Sequence, residues 1–114
     1  MTIQYKNVGI SLTTTNTVTV LTSPDSARCL IKQIQLSNGS SAGALAVVTQ
    51  VTDSSASTTY RVGNQSIAAS STTDIITKTL VLEESDALKM TCPTSNEVQG
   101  IVSYAQIDRS QENG

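Results

Sequence analysis

Apolar and polar residues alternate with a period of two along most of the chain, and the apolar ones are mainly Val and Ile. That period and that side-chain type predict strands, because β-branched residues suit a pleated, half-buried surface. The pattern places a short strand over residues 2–8 and a long one over 10–21. In the latter, Ile10, Leu12, Val18 and Val20 alternate with threonines. Further strands are predicted over 29–37, 45–51, 58–67, 73–82, 87–91 and 98–107. In the third strand Ile34 and Leu36 should face inward, with Gln33 and Gln35 outward. Small polar clusters separate these runs: Ser23-Pro24-Asp25-Ser26, Asn38-Gly39-Ser40-Ser41, Asp53-Ser54-Ser55-Ala56 and Pro93-Thr94-Ser95-Asn96. Of these, Asn38-Gly39 carries the strongest hairpin signal. The most helix-like window, residues 82–90, is short and is interrupted by Ser85-Asp86.

Strands recurring about every 8–12 residues, with turns between them, indicate an antiparallel sandwich or small barrel. The expected fold class is therefore all-β: a single antiparallel β-sandwich, jelly-roll or Ig-like, with about seven or eight strands. The 114 residues are enough for one domain with its own core. Residues 1–9 form an N-terminal arm or first strand, 10–107 the sandwich, and 108–114 a polar tail without apolar anchors, expected to be mobile.

Composition narrows the chemistry. There is no histidine, which excludes Ser-His-Asp and Cys-His nucleophile systems, histidine general bases and imidazole metal sites. A net charge of −2 with seven scattered Lys and Arg offers no electrostatic footprint for nucleic acid. No apolar run reaches the length of a membrane helix, and the first residues lack the profile of a secretory signal. A chain that is not exported and begins at its natural start is expected. Cys29 and Cys92 read as buried free thiols more readily than as a disulfide, since nothing indicates an oxidising compartment.

The acidic group Glu83, Glu84 and Asp86 is the densest polar cluster, but it lacks the alternating register of a calcium loop and reads as a solvated turn. With aromatic residues limited to Tyr5, Tyr60 and Tyr104, there is little to stack a sugar ring between paired carboxylates. No catalytic residue, metal ligand or cofactor is expected. Serine and threonine occupy 33 positions and charged residues only 14%. Such a surface suits contact with neighbouring proteins, because few charges need desolvating. The candidate interface residues are Ile3 and Tyr5 on the first strand and the pair Tyr60 and Arg61, since tyrosine joins contact area to a hydrogen-bonding tip; Tyr5 reads equally as a core residue, and Tyr60 as a strand tyrosine beside a solvated arginine.

Four segments carry a family resemblance: Leu30-Ile31-Lys32-Gln33-Ile34-Gln35-Leu36-Ser37-Asn38, Tyr60-Arg61-Val62-Gly63-Asn64-Gln65-Ser66-Ile67, Leu80-Val81-Leu82-Glu83-Glu84-Ser85-Asp86-Ala87-Leu88-Lys89-Met90-Thr91, and Val98-Gln99-Gly100-Ile101-Val102-Ser103-Tyr104. Together they resemble small β-sandwich virion proteins of tailed bacteriophages. In that group the third segment is a strand, an acidic glycine-containing turn and a second strand; here Ser85 stands where glycine is common. The resemblance implies a non-enzymatic structural protein on the phage particle, foremost a capsid decoration (cement) protein. Neck, collar or tail-fibre attachment parts come next, and a carbohydrate-binding or host-recognition module is the rival from another class. Its implied partners are the major capsid protein or other virion proteins and further copies of itself, as a dimer or trimer.

Overall fold

The structure, a computed structural model, describes residues 2–76 and 78–108, with Thr2 described by its backbone. Among them there is no helix. The strands are β1 (Thr2–Ser11), β2 (Val18–Thr22), β3 (Ala27–Asn38), β4 (Leu45–Asp53), β5 (Thr58–Ile67), β6 (Ser71–Asp74), β7 (Leu80–Leu82), β8 (Ala87–Thr91) and β9 (Val98–Asp108). Nine strands are two more than the lower expectation, and the excess has a simple origin. β6 and β7 both pair antiparallel with β3, β6 along Gln35–Asn38 and β7 along Cys29–Ile31. They are two pieces of one interrupted edge strand, and the amide of Ile75 still bonds the carbonyl of Ile34 at 2.9 Å between them.

Counted that way, eight strands lie in two antiparallel sheets, ordered β1-β9-β3-β6/β7 and β2-β8-β4-β5. Successive strands mostly alternate between the sheets, and only β4 and β5 form a simple hairpin. This order is the double Greek key of a jelly roll and differs from the ABED/CFG arrangement of an immunoglobulin sandwich. The core between the sheets contains Ile31, Ile34, Leu36, Val98 and Val102 from the first, and Val47, Leu88 and Met90 from the second. As the alternation predicts, Ile34 and Leu36 are buried and Gln33 and Gln35 exposed.

Two expectations need correcting. The long strand over 10–21 is two strands: Leu12 is buried, and residues 12–17 carry the chain from one sheet to the other, held by Leu12 N to Val98 O and Asn96 N to Leu12 O. Asn38-Gly39 does not close a hairpin, because β3 and β4 belong to different sheets. Instead the buried Asn38 amide donates to the carbonyls of Ile67 and Gly43, and its oxygen accepts from Ser40 N. That side chain pins a sheet-to-sheet crossing. The window 82–90 is, as expected, the end of a strand, a turn and the strand β8. Asp108 ends β9; the rest of the expected tail, 109–114, lies outside the described residues.

The turn over 83–86 closes with Asp86 N to Glu83 O at 3.1 Å, and Ser85 at its third position has φ 66°. A positive φ at that position alone is a type II turn, the geometry that favours glycine. Gly100 meets the opposite requirement, space. It sits on β9 between Ile10 and Leu36, where a Cβ would fall on the Gln35 carbonyl oxygen and 2.8 Å from Leu36 Cδ2.

Two substitutions should therefore move stability in opposite directions, read as urea midpoints at constant slope. Gly100→Ala should lose about 1–3 kcal/mol or more through overpacking against the β3 backbone. Ser85→Gly should gain about 0.5–1 kcal/mol by relieving left-handed strain in a residue with a Cβ.

Candidate functional site

In β1 the alternation reverses its polarity halfway along. Val8 and Ile10 face the core, yet Gln4 and Lys6, which share their side of the strand, are exposed. On the other side Asn7, Gly9 and Ser11 are small or polar, whereas Ile3 and Tyr5 are large and apolar. The register with β9 runs unbroken from Thr2↔Asp108 to Ser11↔Gln99, so no bulge swaps the faces. The inversion belongs to the sequence, and it sets Ile3 and Tyr5 on the outer face of the sheet, 53% and 84% exposed.

Directly paired residues share a face, so register shows what lies beside them. Tyr5 pairs with Ala105, Ala105 with Leu30, and Leu30 with Val81. At about 4.8 Å per strand, this apolar row crosses four strands in roughly 14 Å. Ile3 and Ile107 flank it. Ala105, between Tyr5 and Leu30, is buried, whereas Val81 at the far end is 48% exposed. Arg28 closes the flank, its Nε 3.3 Å from Glu84 Oε1 and its Nη2 3.9 Å from Glu83 Oε2. These are solvent-facing pairs, worth little in stability. On the other flank a bulge between Ile31 and Gln33 leaves Lys32 and Gln33 both exposed.

Val81 also borders a second feature. Between the β5 and β7 edges lies a cleft of about 420 Å³ walled by Val51, Tyr60, Val62, Leu80 and Val81, with Asp53, Glu83 and Asp86 around it. Tyr60 pairs with Val51 and so faces the sandwich interior, but at the open edge it remains 52% exposed. Asp86 is buried as a brace: Oδ1 accepts from Ser54 N and Oδ2 from Glu83 N, both at 3.0 Å. Asp53 Oδ1 accepts from Ser55 Oγ, Ser55 N and Ala56 N. The Ser55 hydroxyl foremost, then the Ala56 amide, hold its carboxyl below the usual carboxylate range.

The predicted interface residues therefore separate. Ile3 and Tyr5 stand together at one end of the apolar row, and Tyr60 lines the cleft beyond its other end. Arg61 pairs with Gln50 and is exposed on the opposite side of β5 from Tyr60. Sequence reasoning missed Val81, Leu30 and Val62, because only strand pairing shows that the first two continue the row and the third lines the cleft. Among the described residues no group of three or more His, Cys, Asp or Glu is placed to hold a metal ion.

No family model matches the chain, and no curated protein matches it. Among solved structures it is similar to a pentameric capsid protein from metagenomic phage sequences, at 21% identity and TM-score 0.46, covering 93% of this chain. The chain spans 62% of that protein's length. It is also similar to a chain of the cyanophage Pam1 capsid asymmetric unit, at 16% identity and TM-score 0.43, covering 92% of this chain and 82% of that one. A protein of Bacillus endospore appendages, which form disulfide-linked pili, scores 0.47 at 14% identity, covering 92% and 86%. Likenesses this distant carry no argument about function; the jelly roll stands on the strand order itself.

Cys29 and Cys92 are both fully buried free thiols. Burial pushes the Cys29 thiol above its ordinary pKa, and a hydrogen bond with Ser23 offsets this only in part. It therefore stays protonated at neutral pH, and the thiolate is the reactive form. An aromatic disulfide reagent at pH 7–8 should label neither cysteine in the folded protein and both in guanidinium chloride; rapid labelling of the native chain would contradict the burial.

Proposed function

We propose that this chain is a non-enzymatic structural component of a bacteriophage virion, and within it a decoration (cement) protein bridging capsid subunits on the head. The observation that carries the reading is the inverted half of β1 and the apolar row it begins. A sheet end with Ile3 and Tyr5 outward and Gln4 and Lys6 inward suits a surface covered by another protein. Ile3, Tyr5 and Val81 with their partly covered neighbours leave roughly 300–400 Å² of apolar surface in water, taking roughly 150–250 Å² for a large side chain. Patches of that size on monomers are often functional.

At about 25 cal/mol per Å², covering it yields on the order of 8–10 kcal/mol before association costs. Those costs are of similar size, so one such contact is weak. Repetition by symmetry makes the sum strong, because each contact raises the effective concentration of the next. Particle stabilisation by many weak contacts needs this kind of surface, low in charge and rich in hydroxyls. The jelly roll, found among viral capsid domains as well as lectins, adds support by fold analogy only. The four resembling segments point the same way.

The test uses particles. Phage heads made without this chain, incubated with the purified protein, should take it up in a ratio fixed by the capsid lattice and should then release DNA at a higher temperature. Uptake confined to a single ring of copies would favour a neck or collar role over cement. Heads that neither bind it nor gain heat resistance, together with its absence from purified wild-type particles, would overturn the virion reading.

A further inference from the structure

The two features of the site lie on opposite flanks of the molecule. β1 and β2 form the edges on one side of the sandwich, and β5 and β7 those on the other. The first flank presents a knob: Ile3 and Tyr5 on one side of the strand, Lys6 on the other, all exposed on an edge whose outer backbone groups pair with no strand among the described residues. The second presents a hole, the apolar cleft of about 420 Å³ with carboxylates at its rim.

We propose that copies of this chain associate head to tail, with Ile3, Tyr5 and Lys6 of one copy seated in the cleft of the next. The proposal rests on the assembly role argued above and names a second copy as partner. Charge complementarity supports it: Lys6 arrives beside Asp53 and Glu83, which are otherwise occupied only by local hydroxyl and amide donors and by a solvent-exposed Arg28 contact. The Tyr5 ring meets the apolar walls formed by Val51, Val62 and Leu80, and its hydroxyl is left to donate to a rim carboxylate.

Edge geometry supports it as well. Among the described residues β7 pairs only with β3, and β1 only with β9, so each presents an edge able to accept a neighbouring strand. Because knob and hole occupy opposite flanks, the contact is heterologous, and it closes into a ring when the rotation per copy allows.

A pair of variants tests this through solution mass. Tyr5→Asp spoils the knob and leaves the cleft intact; Val62→Asp spoils the cleft and leaves the knob intact. Both side chains are exposed, at 84% and 45%, so each variant should remain folded, with a melting temperature lowered only as far as the poor strand propensity of Asp requires. Wild-type protein at up to about 0.1 mM, a range that captures weak specific contacts, should sediment above the 12.0 kDa protomer. Each variant alone should be monomeric, and an equimolar mixture should form one-to-one dimers and nothing larger. A monomeric wild type, an unaffected variant, or a mixture that stays monomeric would overturn the head-to-tail contact. A chain that is monomeric in solution yet present in purified particles would sink this contact and leave the virion role standing. An oligomer absent from particles would do the reverse.

Discussion

Strand β9 holds the molecule together. Over Val98–Asp108 it bonds β1 on one side and β3 on the other, ten and eleven residue pairs deep. Two early segments and a late one are thereby joined in one three-strand ribbon. Such pairing is long-range and must be closed against loop entropy, so every other element is placed by reference to it. Gly100 is where the constraint is tightest: β9 approaches β3 too closely there for any side chain. With the ribbon set, β6 and β7 add to the β3 edge, and the second sheet closes over its apolar side.

The crossings between sheets are secured by buried polar groups rather than by tight hairpins. Asn38 satisfies the β3–β4 connection. At the other end Ser23 and Asp86 tie two loops together: Ser23 N bonds Asp86 O at 2.8 Å, and Ser23 Oγ bonds the Ala27 carbonyl at 2.9 Å. Each is buried with its bonds made, the condition under which a polar group inside a protein costs little. On the outside, threonine pairs such as Thr52–Thr59 and Thr17–Thr91, both 2.9 Å between hydroxyl oxygens, knit the second sheet without adding charge. The low charge noted in the composition thus has a structural use, and it leaves a surface that another protein can cover cheaply.

The same ribbon produces the adhesive face. Because β1 has no partner beyond β9 among the described residues, its first half reaches past the core with both faces in solvent, and its side chains are free of the inward-apolar rule. Ile3 and Tyr5 occupy that freedom in the orientation opposite to Val8 and Ile10. Pairing through β9 and β3 then aligns them with Ala105, Leu30 and Val81, residues separated by as much as a hundred positions in the chain.

Period-two alternation, determined residue by residue, was enough to establish an all-β sandwich and the inward Ile34 and Leu36, because a strand puts successive side chains on opposite faces wherever it lies; whether Tyr5 belonged to the core or to an interface it left open. The acidic turn was legible for the same local reason. Which sheet each strand joins was not: Asn38-Gly39 has the local chemistry of a hairpin, and only the competition among distant edges sends β4 to the other sheet. Nor did alternation disclose that Tyr60 lines a cleft or that Val81 belongs to both the row and the cleft. Those are relations between strands, set by pairing and register, and they exist only once the chain has folded.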